Sequence, residues 1–69
     1  MRAEFSQSEL DIITNHRYLT RRERRVFYLY YREGLSYEEV AAEIDVCRRT
    51  VYNVLRSIRE KVILIKALR

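Results

Sequence analysis

The sequence predicts an all-α domain, a small bundle of about four helices that contains a helix-turn-helix, on three observations. The 69 residues include no Pro and only one Gly, so little interrupts a helix. Hydrophobic residues make up 48% of the chain and recur at the helical period rather than in alternation. Helix-start signals stand before several of these apolar stretches. A chain this short buries only about 60% of its unfolded surface, which leaves no room for a large catalytic cavity.

Local signals bound the first two helices. The first is expected to begin with Ser8 as its N-cap and to end near residues 15–16. The second opens with a capping box, in which Thr20 is the cap and Glu23 follows three residues later. It should end at Gly34, the residue best able to adopt the left-handed conformation after a helix. Its broad buried face is predicted to consist of Val26, Phe27, Leu29, Tyr30 and Tyr31.

The last two helices follow the same logic. Ser36 and Glu39 form a second capping box that opens the third helix, which runs through Ile44. The fourth helix is expected from about Arg48 to near Lys66. Its end carries apolar residues that are predicted to extend beyond the part packed on the second and third helices: Ile63, Leu64, Ile65 and Leu68.

The junction between the third and fourth helices has the spacing of a DNA-reading helix-turn-helix. Ala41 is small enough to let the two helices approach each other closely. Asp45 lies where the turn requires a positive φ, which Asp accepts better than most residues. Val46, Val51 and Val54 are expected to be buried behind the turn and the last helix.

Charge is distributed unevenly along the chain. Residues 1–45 carry seven Arg and nine acidic residues, whereas residues 46–69 carry seven Lys or Arg and a single acid, Glu60. The net charge of +4 is therefore a sum of −2 and +6. A basic recognition helix suits a polyanion, because each phosphate that it neutralises releases a condensed counterion.

Other functional classes find little support in the sequence. The single Cys cannot form an internal disulfide, and its spacing from His16 resembles no metal site, so we expect no metal and no cofactor. No residue is predicted to be catalytic, since Glu38 and Glu39 are adjacent and point apart. The longest apolar run, residues 62–65, is far below the roughly 20 residues of a membrane span, and no signal peptide is apparent. A cytoplasmic protein without a membrane partner is expected.

Three segments carry a family resemblance: residues 19–26 (LTRRERRV), 33–41 (EGLSYEEVA) and 50–55 (TVYNVL). Together, and without gaps, they resemble region 4 of the sigma-70 family of bacterial sigma factors over about residues 19–62. The resemblance implies that the last helix binds the minus-35 promoter element of double-stranded DNA. It also implies that the preceding helices dock on the flap of the RNA polymerase β subunit. An anti-sigma factor is a further candidate partner.

The resemblance divides the single domain, residues 1–69, into three parts. They are an N-terminal helix and connection (1–18), a polymerase-facing helix with the first helix of the helix-turn-helix (19–45), and the recognition helix with its apolar tail (46–69). The family's base-reading positions fall on Arg48, Arg49 and Asn53. The chemistry agrees, because Arg can bond a guanine edge through two donors and Asn can pair with adenine. The remaining site residues are Tyr52, Arg56, Arg59, Lys61, Arg21 and Arg22, toward the DNA backbone or flanking it, and Leu10, Ile13 and Tyr28, toward polymerase or another partner.

Two alternatives stay open. The output domains of LuxR/GerE-type regulators share a similar opening and helix-turn-helix, and would act as dimers on palindromic sites. The other alternative is a module that binds polymerase or an anti-sigma factor and reads no DNA. Four of the six Tyr cluster on or beside the second helix, and Tyr is enriched in protein interfaces. The apolar tail is compatible with a monomer or a weak dimer. At Cys47 the sigma family usually has Ser or Thr, so a weaker helix cap is expected here.

Overall fold

The computed structural model describes residues 5–68, which form four α-helices and no β-strand. The helices α2 and α3 both pack on α4, while α1 packs against the segment that continues α2. The predicted all-α class is confirmed. Within the described residues, no helix combines the length and the apolar character needed to cross a membrane. In chain order the elements are α1 (Gln7–Thr14), α2 (Arg21–Phe27), a π-helical segment (Tyr28–Arg32), α3 (Tyr37–Ile44) and α4 (Arg48–Ala67).

Both predicted capping boxes are present. Thr20 Oγ1 accepts a hydrogen bond from the Glu23 N–H at 3.2 Å, and Glu23 Oε1 accepts one from the Thr20 N–H at 2.8 Å. Ser36 and Glu39 make the same reciprocal pair, at 3.1 and 2.9 Å. Each box satisfies two backbone donors that a helix start would otherwise leave without a partner, which explains why α2 and α3 begin where they do.

The start of α1 differs from its prediction. The cap is Ser6, not Ser8, and Glu9 closes a third capping box by accepting a hydrogen bond from the Ser6 N–H at 3.0 Å. The prediction was wrong because Ser6, unlike Ser8, has a Glu three residues later, and that side chain reaches back to the cap. Asp11, three residues after Ser8, instead pairs with Arg32 at 2.6 Å. The predicted end of α1 is confirmed at Asn15.

The connection between α1 and α2 is held by Arg24. Its guanidinium donates to the carbonyl oxygens of Thr14, His16 and Leu19 at 2.8, 3.3 and 3.4 Å. These acceptors lie at the end of α1 and in the loop, where carbonyl groups have no partner within a helix. One side chain therefore fixes the path of the loop back to the start of α2.

The second helix was predicted to be continuous, but its last turn is π-helical. The Glu33 N–H donates to the Tyr28 carbonyl at 3.1 Å, five residues back, so this turn holds one residue more than an α-helical turn. The widened turn buries both Leu29 and Tyr31 while leaving Tyr28 45% exposed. Gly34 then ends the helix with φ at 73°, as predicted.

The hydrophobic core lies between α4 and the other helices. Tyr31 and Phe27 are among its largest fully buried side chains, and their rings lie 4.8 Å apart. Within the predicted apolar tail, Ile65 is buried, with only 1% of its surface exposed. Ile65 follows Ile58 by seven residues and therefore shares its buried face. The tail residues that do lie on the surface are Ile63, Leu64 and Leu68.

A buried carboxylate joins α2 to α4. Glu23 is 7% exposed, and besides capping α2 it accepts hydrogen bonds from Ser57 Oγ at 2.8 Å and Lys61 Nζ at 2.6 Å. Burial raises the pKa of Glu23, but the bonds from Lys61, Thr20 and Ser57 outweigh this and hold the pKa below its usual value. The ionised Glu23 therefore fixes how α4 lies against the start of α2.

Candidate nucleic-acid interface

The turn of the helix-turn-helix has the predicted geometry. Asp45 adopts the left-handed conformation, with φ 57° and ψ 52°, and its N–H donates to the Ala41 carbonyl. The Val46 N–H donates to the same carbonyl at 3.0 Å. Ala41 itself is buried, so the two helices meet at a small side chain. The chain thereby leaves α3 and enters α4 within three residues.

Burial of one face of α4 determines which side chains face outward. Val51, Leu55 and Ile58 are fully buried, and Val54 packs partly against the core. Residues that are three or four positions apart lie on the same face of a helix, so the residues between these buried positions form the outer face. The exposed residues on the first turns of α4 include Arg48, Arg49, Tyr52, Asn53 and Arg56. The structure thus brings the three predicted base-reading residues and two predicted flanking residues together on one surface, which we call the reading face.

Several contacts orient side chains on the reading face. The Arg48 guanidinium lies 3.5 Å from a carboxylate oxygen of Glu38, which is on the first turn of α3. The Arg49 guanidinium lies 5.8 Å from the centre of the Tyr52 ring, within the range of a cation–π contact. Tyr37 lines an open groove of about 270 Å³ together with Arg48, Arg49 and Tyr52. An Arg that already has a neighbour loses less conformational freedom when it binds a ligand.

The recognition helix begins without a side-chain cap. Cys47 is the N-cap residue, and its thiol makes no capping hydrogen bond, as the weak acceptor strength of sulfur predicts. Its Sγ lies 3.3 Å from Thr50 Oγ1 instead. The hydrogen bond with the Thr50 side chain lowers the pKa of the exposed Cys47 thiol.

Other predicted DNA-backbone residues lie outside the reading face. Arg21 and Arg22 are exposed on the first turn of α2, where they line a separate open groove with Arg25 and Ile44. Arg59 is exposed on α4. The Tyr31 side chain, supported by Tyr37, raises the pKa of the Arg59 guanidinium.

Three predicted contact residues have a different role in the structure. Lys61 was assigned to the DNA backbone, but its ammonium group is bound to the buried Glu23, and moving it to a phosphate would leave that carboxylate short of a partner. Leu10 and Ile13 were assigned to a partner surface, and this is wrong because both are core residues, 0% and 2% exposed. The apolar face of an amphipathic helix usually packs against the core of its own domain, as the face with Leu10 and Ile13 does here. Tyr28 lies on the surface, so its predicted partner contact stays a prediction.

Sequence reasoning missed two residues of this region. Glu38 was not predicted to contact Arg48, although its carboxylate lies beside that guanidinium. Tyr37 was not singled out as a site residue, although it lines the groove next to Arg48 and Arg49. Neither proximity could be read from local spacing, because the contacts cross from α3 to α4.

The fold and the reading face define a DNA-binding domain of the helix-turn-helix class. A comparison with protein families supports a more specific identification, since the profile for sigma-70, region 4, matches residues 10–62. The chain belongs to this family, the first of the two that its sequence resembles. Members of the family are DNA-binding regulatory domains of sigma factors that act with RNA polymerase in transcription initiation, and the family is not one of enzymes. Comparison with curated proteins and with solved structures gave no significant match.

Proposed function

We propose that this domain reads a minus-35-like promoter element with the first turns of α4 and docks on the β-flap of RNA polymerase through a different surface. The observation that carries the proposal is the reading face: Arg48, Arg49 and Asn53 are exposed together, and the opposite side of the same helix is buried. A helix held in this way can enter the major groove with its N-terminal residues toward the base edges.

The chemistry of these side chains suits base recognition. Each Arg can donate two hydrogen bonds to the O6 and N7 atoms of guanine, and Asn53 can pair with the N6 and N7 atoms of adenine. One good bidentate contact contributes about 1–3 kcal/mol of discrimination against the wrong base. A site that contains both G·C and A·T pairs is therefore expected.

Phosphate contacts would set the register of the domain on the duplex. Arg56 is exposed one helical turn after Tyr52, and Arg21 and Arg22 stand at the N-terminus of α2. These contacts contribute affinity for any sequence, and Arg59 is a further candidate for one.

The polymerase contact is assigned to the outer side of α2 and the π-helical segment. Tyr28 is 45% exposed there, and its ring lies 6.0 Å from the Arg32 guanidinium. Tyr offers an apolar ring with a polar tip and is enriched in protein interfaces. An anti-sigma factor would compete for such a surface.

The domain is proposed to bind DNA as a monomer at one asymmetric site. The exposed tail residues Ile63, Leu64 and Leu68 support at most a weak dimer, because three side chains cover much less than the roughly 800 Å² per partner of a standard interface. A dimeric regulator would instead prefer two half-sites about one helical turn apart.

The first test is selection by the 69-residue chain from a pool of randomised DNA duplexes, followed by fluorescence anisotropy on the retained sequences across a salt series. Enrichment of one asymmetric motif supports the proposal. A palindrome would favour the dimeric regulator. No enrichment at moderate salt would favour a module that binds polymerase or an anti-sigma factor without reading DNA.

The polymerase contact needs a separate test. Binding of the chain to the isolated β-flap is measured for Tyr28→Ala and for the double variant Arg48→Ala/Arg49→Ala. The proposal expects the first variant to lose flap binding and keep DNA binding, and the second to do the reverse. Loss of both activities in either variant would contradict the assignment of two separate surfaces.

A further inference from the structure

Glu38 brings a negative charge to an otherwise basic surface. Its side chain is 77% exposed on the first turn of α3, and its Oε1 atom lies 3.5 Å from Arg48 Nη1. The exposed charged residues on the first turns of α4 are Arg48, Arg49 and Arg56. An acid in this position opposes the binding of DNA phosphates, so its presence calls for a physical explanation.

Helix capping does not supply that explanation. The start of α3 is satisfied by Ser36 and Glu39, whose side chains make both hydrogen bonds of the capping box. The two glutamates are adjacent and therefore point in different directions from the helix. Glu39 turns back to the cap, whereas Glu38 extends to the neighbouring helix and reaches Arg48.

We propose that Glu38 is a specificity-determining residue, which holds Arg48 for a base edge and keeps it away from phosphate. This inference rests on the proposed function, because it assigns Arg48 to base reading. A guanidinium has five N–H donors in a planar fork, so it can contact a carboxylate on one edge and keep two donors free for guanine. Without the carboxylate, Arg48 can pair with any nearby phosphate, and that contact carries no sequence information.

The charge of Glu38 acts in the same direction. A carboxylate beside Arg48 competes with phosphate for its guanidinium, and a phosphate contact is the one that Arg48 would make on random DNA. Glu38 should therefore reduce binding to random DNA more than binding to the preferred site. Specificity is a difference between two affinities, and a repulsive group can increase it as effectively as an attractive one.

The chain offers a matched control. Glu43 lies on the same helix as Glu38 and pairs with Arg25 at 3.7 Å, and its side chain is also mostly exposed. Arg25 belongs to α2 rather than to the reading face. Both Glu38→Gln and Glu43→Gln remove one negative charge from α3, so a general effect of net charge would appear in both variants.

The experiment compares wild type, Glu38→Gln and Glu43→Gln for binding to two duplexes, the sequence that wild type enriches and a scrambled sequence of the same composition. Glu38→Gln is expected to lower the preferred-to-scrambled affinity ratio by about 3- to 5-fold, since an exposed ion pair has a modest effect. Most of this change should come from tighter binding to the scrambled duplex. Glu43→Gln should leave the ratio within about twofold of wild type, since a contact away from the bases carries no sequence information.

A double-mutant comparison separates an action through Arg48 from a structural role. In the Arg48→Ala background, Glu38→Gln should no longer change the affinity ratio. Thermal unfolding followed by circular dichroism shows whether each variant is folded. An unchanged ratio in Glu38→Gln, or an equal change with and without Arg48, would overturn the inference while leaving DNA reading intact. Failure of wild type to enrich any sequence would overturn the proposed function itself, and the inference with it.

Discussion

The Nζ atom of Lys61 lies 2.6 Å from Oε1 of Glu23, and this ion pair joins the first turn of α2 to the second half of α4. The same carboxylate group caps α2 and accepts a hydrogen bond from Ser57. Three donors, from Thr20, Ser57 and Lys61, thus meet at one buried negative charge. Because α4 carries the reading face at its other end, the pair also fixes the direction in which that face points.

Removal of the Glu23 charge should destabilise the domain. Glu23→Gln keeps the size of the side chain but leaves Lys61 without its carboxylate, which is expected to lower the free energy of unfolding by about 1–3 kcal/mol. For a domain of this size the melting temperature should fall by roughly 5–15 °C, measured by circular dichroism. The control is Glu33→Gln, an exposed residue that should change stability by less than about 0.5 kcal/mol. Equal losses in both variants would contradict the role of Glu23.

Stability should also depend on pH through Glu23. Its pKa is lower in the folded chain than the roughly 4.3 of an unfolded Glu, so the unfolded state binds more protons in the acidic range. The stabilisation is present above that pH and is lost as the pH falls through the lower, folded pKa. Urea unfolding between about pH 6 and pH 2.5 should show this loss in wild type and a shallower one in Glu23→Gln. Some slope should remain, because backbone hydrogen bonds at the caps also lower the pKa of Glu9 and Glu39. Parallel curves for the two proteins would rule out the assignment.

Substitutions on the reading face should distinguish residues that contact bases from residues that contact phosphates. Asn53→Ala is expected to relax the preference at one base pair, with a loss of about 1–3 kcal/mol for the preferred base. Arg56→Ala should weaken binding to all sequences alike and reduce the slope of log affinity against log salt by about 1. Fluorescence anisotropy on single-base variants of the enriched duplex measures both effects. Arg17→Ala, which removes an exposed cation from the loop after α1, should change neither quantity.

A side-chain cap at the start of α4 should increase the stability of the domain. Cys47→Ser supplies the hydroxyl acceptor that the thiol lacks, so it is expected to stabilise the domain by about 0.5–1 kcal/mol. Cys47→Ala serves as the control, because it removes the thiol without adding an acceptor. Thermal unfolding of the three proteins should place Ser above both others. If the Ser variant were no more stable than the Ala variant, the missing cap would not limit the stability of this helix.

Much of the local structure could be predicted because its causes lie within a few residues of each other. The boxes at Thr20 and Ser36, the stop at Gly34 and the positive φ of Asp45 all depend on side chains within one helical turn. The N-cap at Ser8 was wrong for an equally local reason. Two serines stood close together, and only Ser6 had a Glu at the distance that a capping box requires.

Long-range contacts were beyond prediction from spacing alone. Glu23 and Lys61 are 38 residues apart in the chain, so the sequence marked one as a cap and the other as a DNA contact. Leu10 and Ile13 were recognisably apolar, but only packing against the rest of the chain distinguishes a core position from a partner surface.

The sequence by itself determined the helices, their limits at most ends, the turn of the helix-turn-helix and the basic character of α4. These follow from hydrogen bonds and periodicity inside each segment. Only the tertiary structure decided that Lys61 pairs with Glu23, that the turn after Phe27 is π-helical, and that Glu38 lies beside Arg48. Such relationships depend on how separate helices pack, and the free energy of packing is shared among residues that are distant in the chain.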